Sequence, residues 1–341
     1  MMKIIILLGC IATMIACTPT KQSTIDTTLQ TKVDSILQNK MSEIGAISGQ
    51  TIVMEVQTGE IKAMVGNSRS QESGLIRTAS LLAALETGKV KLSNTVDVGE
   101  GVYKVHDREL LDHNWHRGGY GKLTTLQGLM VNSHIANYKN IERAFEEEQA
   151  YFDMLNKMSY GQPENIEGLD DLKAAHFITP NDSGWNNTSL AWFCIGYNQR
   201  ISPIQMLTFY NAIANNGKMV KPTLYKGKTE VINPQIASKA NIDSLQMALV
   251  KVVTEGLGKP AQSEKVQVAG VSGGGQISTD EDNSEGRVNT IYSVEYCGYF
   301  PAENPKYSII VSMNKVGLPA SGNLMAGSVF KEIVNYIEAT K

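Results

Sequence analysis

The side chains in this sequence best placed for chemistry are hydroxyls, an imidazole and a guanidinium. Ser73 stands just before an apolar helical run, Leu75–Glu86, and Ser133 is followed at once by His134. A hydroxyl with a proton acceptor beside it attacks acyl carbons, so both serines are candidate nucleophiles. The start of the run also carries Gly74 and Arg77, at a spacing where an acyl-transferring enzyme places Ser and Lys. Glycine has no nucleophile, and a guanidinium stays protonated where a buried lysine can be tuned to accept a proton. Neighbours in sequence seldom point at one another, so Ser73 and Ser133 stand only as fallback nucleophiles. Ser80 matches a packing position inside the helix.

Other polar clusters carry less. Asp112, His113 and His116 invite a metal, but no Cys or third His follows at ligand spacing, so they read as a polar loop. Asp280–Gly286 looks like a calcium loop with its Gly one place late and Ile291 at the closing position, and reads as a solvated hairpin tip. No metal and no cofactor is expected. Glu146–Glu148 reads as an exposed face. Cys194 and Cys297 lie in apolar strings and read as buried free thiols, although an exported chain also permits a disulfide.

Positioning these groups falls to a short series of elements. Ile25, Leu29, Val33, Ile36 and Leu37 recur at helical spacing between Ile25 and Met41. Thr51–Val56 and Ile61–Val65 are β-type runs joined by Gln57-Thr58-Gly59-Glu60, a hairpin signal with Gly for a positive φ. The helix Leu75–Glu86 stops at Thr87-Gly88. From Leu123 to about Asn198 the pattern is helical and broken by loops, and Pro203–Ala214 and Ser244–Val253 are further helices. Val266–Ala269, Ile291–Phe300 and Tyr307–Met313 read as strands, with Met325–Ala339 as a closing helix. Strands at both ends of the chain with helices between them predict an α/β (α+β) fold. Its mostly antiparallel sheet is assembled from distant segments and flanked by helices, with a helical subdomain.

The N-terminus places Lys3 before an apolar run, Ile4–Ala16, of signal-peptide length and too short for a comfortable membrane span. The run ends in small residues and Cys17, the pattern of a bacterial lipoprotein signal; Cys10 also fits but leaves about half the usual apolar length. We therefore expect residues 1–16 to be a cleaved signal, Cys17 to be lipidated, residues 17–28 to form a polar tether and residues 29–341 the folded domain. The competing readings are an uncleaved anchor and a plain secretory signal. With 42% hydrophobic and 19% charged residues the composition is ordinary for a globular protein, and a net charge of −3 argues against a nucleic-acid partner.

Several strings follow one another in a telling order: Ile52–Ala63, Ala79–Glu86, Gly118-Gly119-Tyr120-Gly121, Ser202–Gly217, and Cys297–Ala302 before Pro305-Lys306-Tyr307. Together, from roughly Ile36 to Ile337, they resemble the transpeptidase domain of class B penicillin-binding proteins, the D,D-transpeptidases that crosslink peptidoglycan. The resemblance implies a β-lactamase/transpeptidase-like fold and three catalytic motifs. These are Ser-x-x-Lys at a helix start, Ser-x-Asn on a neighbouring loop, and Lys-Thr-Gly or Lys-Ser-Gly on an inner strand. Aligned on the quoted strings, the first motif falls on Gly74 and Arg77, the second on Asn132-Ser133-His134 and the third on Val271-Ser272-Gly273. The nucleophile, a proton-shuttling hydroxyl and the strand cation are all replaced, so the cleft these residues line is degenerate and no catalytic residue is expected.

Loss of a catalytic serine alone slows a hydrolase on the order of a million-fold, about 8 kcal/mol of barrier. Loss of the strand lysine removes a charge-assisted contact to the substrate carboxylate, about 1.5–3 kcal/mol. The segment Gly66–Gln71 is also short where relatives carry a longer lead to the nucleophile, so we expect a remodelled cleft mouth. Such enzymes usually have a membrane helix and a large N-terminal pedestal; we read this chain as a transpeptidase-like domain on a lipid tether. The expected role is that of a pseudoenzyme in the cell envelope, lipid-anchored to a membrane at a periplasmic or outer face. It would bind cell-envelope proteins or peptidoglycan during cell-wall biogenesis. The alternatives are a divergent D,D-transpeptidase, carboxypeptidase or β-lactam-binding acylase using a displaced serine, and a bare scaffold.

Overall fold

The computed structural model of this protein describes residues 21–67, 69–277 and 290–340. The leader with Cys10 and Cys17, the first part of the tether and the Asp280–Gly286 segment lie outside the described residues. Helix α1 (Thr27–Ile44) starts at Asp26, whose carboxylate accepts from Leu29 N at 3.0 Å, and ends at Gly45 with φ 65°. Strands β1 (Ala46–Glu55) and β2 (Ile61–Asn67) form the expected hairpin. At its turn Gly59 has φ 79°, and a Cβ there would stand 2.4 Å from Lys221 O, so both backbone angle and space demand glycine.

Along the chain then follow α2 (Ile76–Glu86), α3 (Thr125–Met130), α4 (His134–Ala144), α5 (Glu148–Lys157), α6 (Ser189–Phe193), α7 (Pro203–Ala214) and α8 (Lys239–Thr254). The main sheet resumes with β3 (Ala269–Ile277), β4 (Ile291–Phe300) and β5 (Tyr307–Val316), and α9 (Ala326–Ala339) closes the chain. The sheet order is β3-β4-β5-β1-β2, with every neighbouring pair antiparallel. Ile52 faces Ile310 across β1 and β5, and Val53 faces Ile309. Because side chains alternate along a strand, those two rows serve different cores. Val53, Ile309 and Val311 pack with Val33, Leu37, Phe330 and Ile333 of α1 and α9. Ile52, Met54 and Ile310 belong to the opposite core, with α2, α7 and the helical subdomain.

Helix α7 is buried at every position, so its polar side chains need partners inside the protein. Ser202 and Gln205 form a capping box at its start. Tyr210 OH donates to Leu75 O at 3.0 Å and stands 2.7 Å from Thr78 Oγ1, whose own hydroxyl is free to donate to it; the two contacts fix the first turn of α2. Ser80 Oγ lies 2.7 Å from Tyr151 OH of α5, the packing role expected of it. Cys194 and Cys297 are buried free thiols.

Two expectations shift. Helix α8 begins at Lys239 instead of Ser244, because Ile242, which is fully buried, extends the apolar face by a turn. The strand expected over Val266–Ala269 begins at Ala269 and runs through Gly270 and Gly273–Gly275 to Ile277. Glycine carries no strand signal of its own; pairing with β4, from Ala269 opposite Tyr299 to Ile277 opposite Ile291, holds the segment extended. That strand, expected to be an inner one, is an edge of the sheet. Among the described residues no helix is long and apolar enough to cross a membrane.

Candidate functional site

The start of α2, the turn between α3 and α4, and strand β3 come together as the motif positions require. Arg77, Asn132, His134, Ser272 and Gly273 line one cavity of about 740 Å³. Asn132 adopts φ 59°, a left-handed conformation that Asn tolerates, and its Nδ2 reaches Ser272 Oγ at 3.5 Å. Val271 is a correction to the expected lining: its side chain is buried in the apolar core with Ala269 and Ile310. An apolar side chain on a strand turns inward wherever the alternation allows it, and Ser272 takes the cavity side.

Gly74 does more than lack a hydroxyl. A Cβ at this position would stand 2.7 Å from Gly274 O, 3.1 Å from Gly274 N and 3.0 Å from Arg77 Nη1. From the other side, a Cβ on Gly196 would stand 2.7 Å from the carbonyl of Ser73. A Cβ on Gly273 would meet Leu75 N at 2.8 Å. Three backbones are therefore stacked at the nucleophile's position, and no side chain fits there without moving β3.

Arg77 is 4% exposed, and its Nε and Nη1 have no hydrogen-bond partner among the described residues. Burial lowers its pKa to about 10, partly opposed by nearby Tyr210, Tyr197, Glu295 and Asp112. It remains protonated at neutral pH and cannot serve as a base. Leaving charged donors buried and unpaired costs at least about 1–3 kcal/mol.

The fallback serines are both engaged elsewhere. Ser133 caps α4, accepting from Ala136 N at 3.0 Å and donating to Asp112 Oδ2 at 2.7 Å. Asp112 is fully buried and also accepts from Ile135 N at 3.1 Å; burial raises its pKa against those hydrogen bonds. His134 does not address Ser133: its Nδ1 lies 3.0 Å from Leu111 O, the tautomer with hydrogen on Nδ1. The ring keeps a cavity-facing edge yet is closely surrounded, and desolvation with the charge of Arg77 pushes its pKa down to about 3. Ser73, 3% exposed, donates to Glu295 Oε2 at 2.6 Å. Glu295 also accepts from Gln71 Nε2 and Ser312 Oγ, each at 3.3 Å, while burial raises its pKa. His113 Nε2 lies 3.1 Å from Tyr120 OH. Among the described residues no group of three His, Cys, Asp or Glu could hold a metal ion.

Sequence reasoning missed Glu295 and the wall over β3. The lone charged side chain in the run Ile291–Phe300 was the available signal for the first. The second is the segment Leu318–Leu324, whose Gly322 lets its backbone approach: a Cβ there would stand 2.4 Å from Gly273 O. Nothing in the sequence pointed to it.

The sheet order, the covering helices and the placement of the three motif segments define a β-lactamase/transpeptidase-like protein. Residues 49–335 match the penicillin-binding protein transpeptidase domain, and the chain belongs to that family. It is 24% identical to penicillin-binding protein PbpB of Mycolicibacterium smegmatis, over 93% of this chain and 54% of that protein. It is 21% identical to peptidoglycan D,D-transpeptidase FtsI of Escherichia coli, over 89% of this chain and 53% of that one. The chain thus spans about half the length of these curated relatives. The transpeptidase domain of Burkholderia pseudomallei penicillin-binding protein 3 superposes with a TM-score of 0.80 at 21% identity, covering 94% of this chain and 96% of that one. A putative peptidoglycan glycosyltransferase from Atopobium parvulum gives 0.81 at 18% identity, over 93% and 78% of the two chains. These superpositions speak to the fold.

Proposed function

We propose that this protein is a catalytically silent transpeptidase-like domain of the cell envelope that acts by binding, in peptidoglycan biogenesis. The observation that carries this is the stacked backbone at Gly74, where a nucleophile would stand, with the protonated Arg77 in the place of the base. The family membership and relatives named for peptidoglycan transpeptidation support the setting. The lipoprotein-like leader supports attachment through a lipid on Cys17, with cell-envelope proteins or peptidoglycan as partners.

A second reading has one contact in its favour. Ser73 and Glu295 are 2.6 Å apart, a hydroxyl beside a carboxylate whose pKa is raised, so a displaced acylase would use that pair. Incubation with a fluorescent penicillin, followed by intact-protein mass, separates the two. The silent reading expects no covalent adduct. An adduct lost in Ser73→Ala or Ser133→Ala would replace it with the acylase.

A further inference from the structure

We propose that the loop Lys221–Glu230 is a membrane-contact surface, whose lysines rest on anionic phospholipid headgroups and set how the domain stands on the bilayer. This rests on the reading of Cys17 as lipidated.

The chain that leads away from Cys17 is fastened early. Thr24 N donates to Leu224 O at 2.9 Å, Lys226 N donates to Gln22 O at 2.8 Å, and Ser23 forms an antiparallel bridge with Tyr225. Thr24 is buried and its hydroxyl donates to Ile61 O at 2.8 Å, while Asp26 N donates to Lys62 O at 2.9 Å. Residues 22–26 are thus tied to the loop and to β2, so the tether expected to reach residue 28 is already held at residue 22. Lys21 follows Cys17 by four residues, which span at most about 14 Å when fully extended. A lipid on Cys17 therefore keeps this loop within about two Debye lengths of the headgroups at physiological salt.

The loop's charge suits that surface. The protein carries a net charge of −3, yet a concavity of about 360 Å³ at the loop is lined by four lysines against two glutamates. Glu167 pairs with Lys21, and Glu230 Oε1 lies 3.6 Å from Lys221 Nζ. Lys226 and Lys228 are exposed and have no carboxylate partner among the described residues. Between them a Cβ on Gly227 would meet nothing within 4 Å, so the tip stands clear of the rest of the protein. Exposed lysines ordinarily serve solubility; here the chain itself delivers them to a surface. Each lysine near an anionic leaflet favours contact about fivefold, an effect that salt screens.

Seating on this loop also orients the cleft. Thr223 N donates to Gly59 O at 2.9 Å, which puts the loop at the β1–β2 turn, where β1 ends at Glu55. Gly274, on the cleft wall, is level with Gly49 through Val294 and Met313. Gly49 lies six residues back from Glu55, about 20 Å along the strand, so the loop turns the far end of the sheet from the cleft towards the bilayer.

The full chain is produced with its leader in a bacterial host that processes lipoproteins. It is reconstituted into vesicles of phosphatidylcholine, or of an equal mixture of phosphatidylcholine and phosphatidylglycerol, and labelled briefly with a water-soluble amine reagent. By mass spectrometry, labelling of Lys226 and Lys228 is expected to fall at least about fivefold in the mixed vesicles relative to the neutral ones. Labelling should recover at about 0.5 M salt, and Lys259, at the cleft, should be unchanged throughout. Lys21 and Lys221 are expected to share the protection and to lose it in Lys226→Glu combined with Lys228→Glu. The proposal is overturned by equal labelling of Lys226 and Lys228 in the two vesicles, by equal protection of Lys259, or by protection of Lys21 that persists in the double variant. Intact mass showing no lipid on Cys17 would overturn the anchor reading, whereas a lipidated chain with equal labelling overturns the docking alone, so the two failures are distinct.

Discussion

Helix α7 and the start of α2 touch one another and are equally buried, yet their polar atoms are treated in opposite ways. On α7, Asn211 Nδ2 donates to Val56 O at 3.0 Å while its Oδ1 accepts from Ser308 Oγ at 2.7 Å. Gln205 Nε2 donates to the carbonyls of Pro163 and Lys173, both at 3.0 Å. Around α2, Nε and Nη1 of Arg77 and Oδ1 of Asn132 and Asn323 have no partner among the described residues. A satisfied buried group anchors structure, whereas an unsatisfied one is a cost the fold carries without return. Burial alone therefore does not tell an anchoring residue from a costly one; partner accounting does.

The contrast can be broken by stability measurements. Asn211→Leu orphans the Val56 carbonyl and the Ser308 hydroxyl and is expected to cost about 3 kcal/mol in urea unfolding. Gly74→Ser forces a side chain between β3 and the Gly196 loop, with an expected loss of about 1–3 kcal/mol and no penicillin adduct. Acylation of Gly74→Ser, alone or with Arg77→Lys and Val271→Lys, would show that the stacked backbones do not close the site.

The third test uses pH. The folded pKa of His134, about 3, lies below its ordinary value of 6.5. Its neutral form therefore contributes fully above about pH 6.5, and that contribution falls with pH towards 3, by at most about 1.4 kcal/mol per unit. Unfolding of the wild type and His134→Asn at about pH 7 and about pH 5 should show the steeper loss in the wild type. Equal slopes would remove His134 as its source. The smallest effect is expected of Arg77→Met, within about 1 kcal/mol of the wild type or slightly stabilising, because it deletes a buried charge whose Nε and Nη1 have no hydrogen-bond partner among the described residues. A loss as large as that of Asn211→Leu would mean that Arg77 is structural after all, and the comparison would fail.

Much of this was legible in residue order. The hairpin announced itself through Gly59, α7 through its apolar run after Ser202-Pro203, and the family through strings spread from Ile52 to Tyr307. The motif substitutions were legible too, as identities at aligned positions. What was hidden depends on tertiary neighbours. Ser73 looked free until Glu295 came to it from a strand far along the chain, and Ser133 looked like half of a dyad until Asp112 and the start of α4 claimed it. The extended course of Gly270–Gly275 was hidden for another reason, since partner strands impose it and the residues themselves do not prefer it.

The sheet also sets a timetable. Ile52 meets its neighbour Ile310 only after most of the polypeptide has been made, and β1 lies between β2 and that late partner. Until β5 arrives, the first hairpin has an open edge and two sticky faces, with long loops still to be closed. Assembly should therefore be slow for this size, and a ribosome-stalled or truncated product ending before Tyr307 should aggregate or depend on a chaperone.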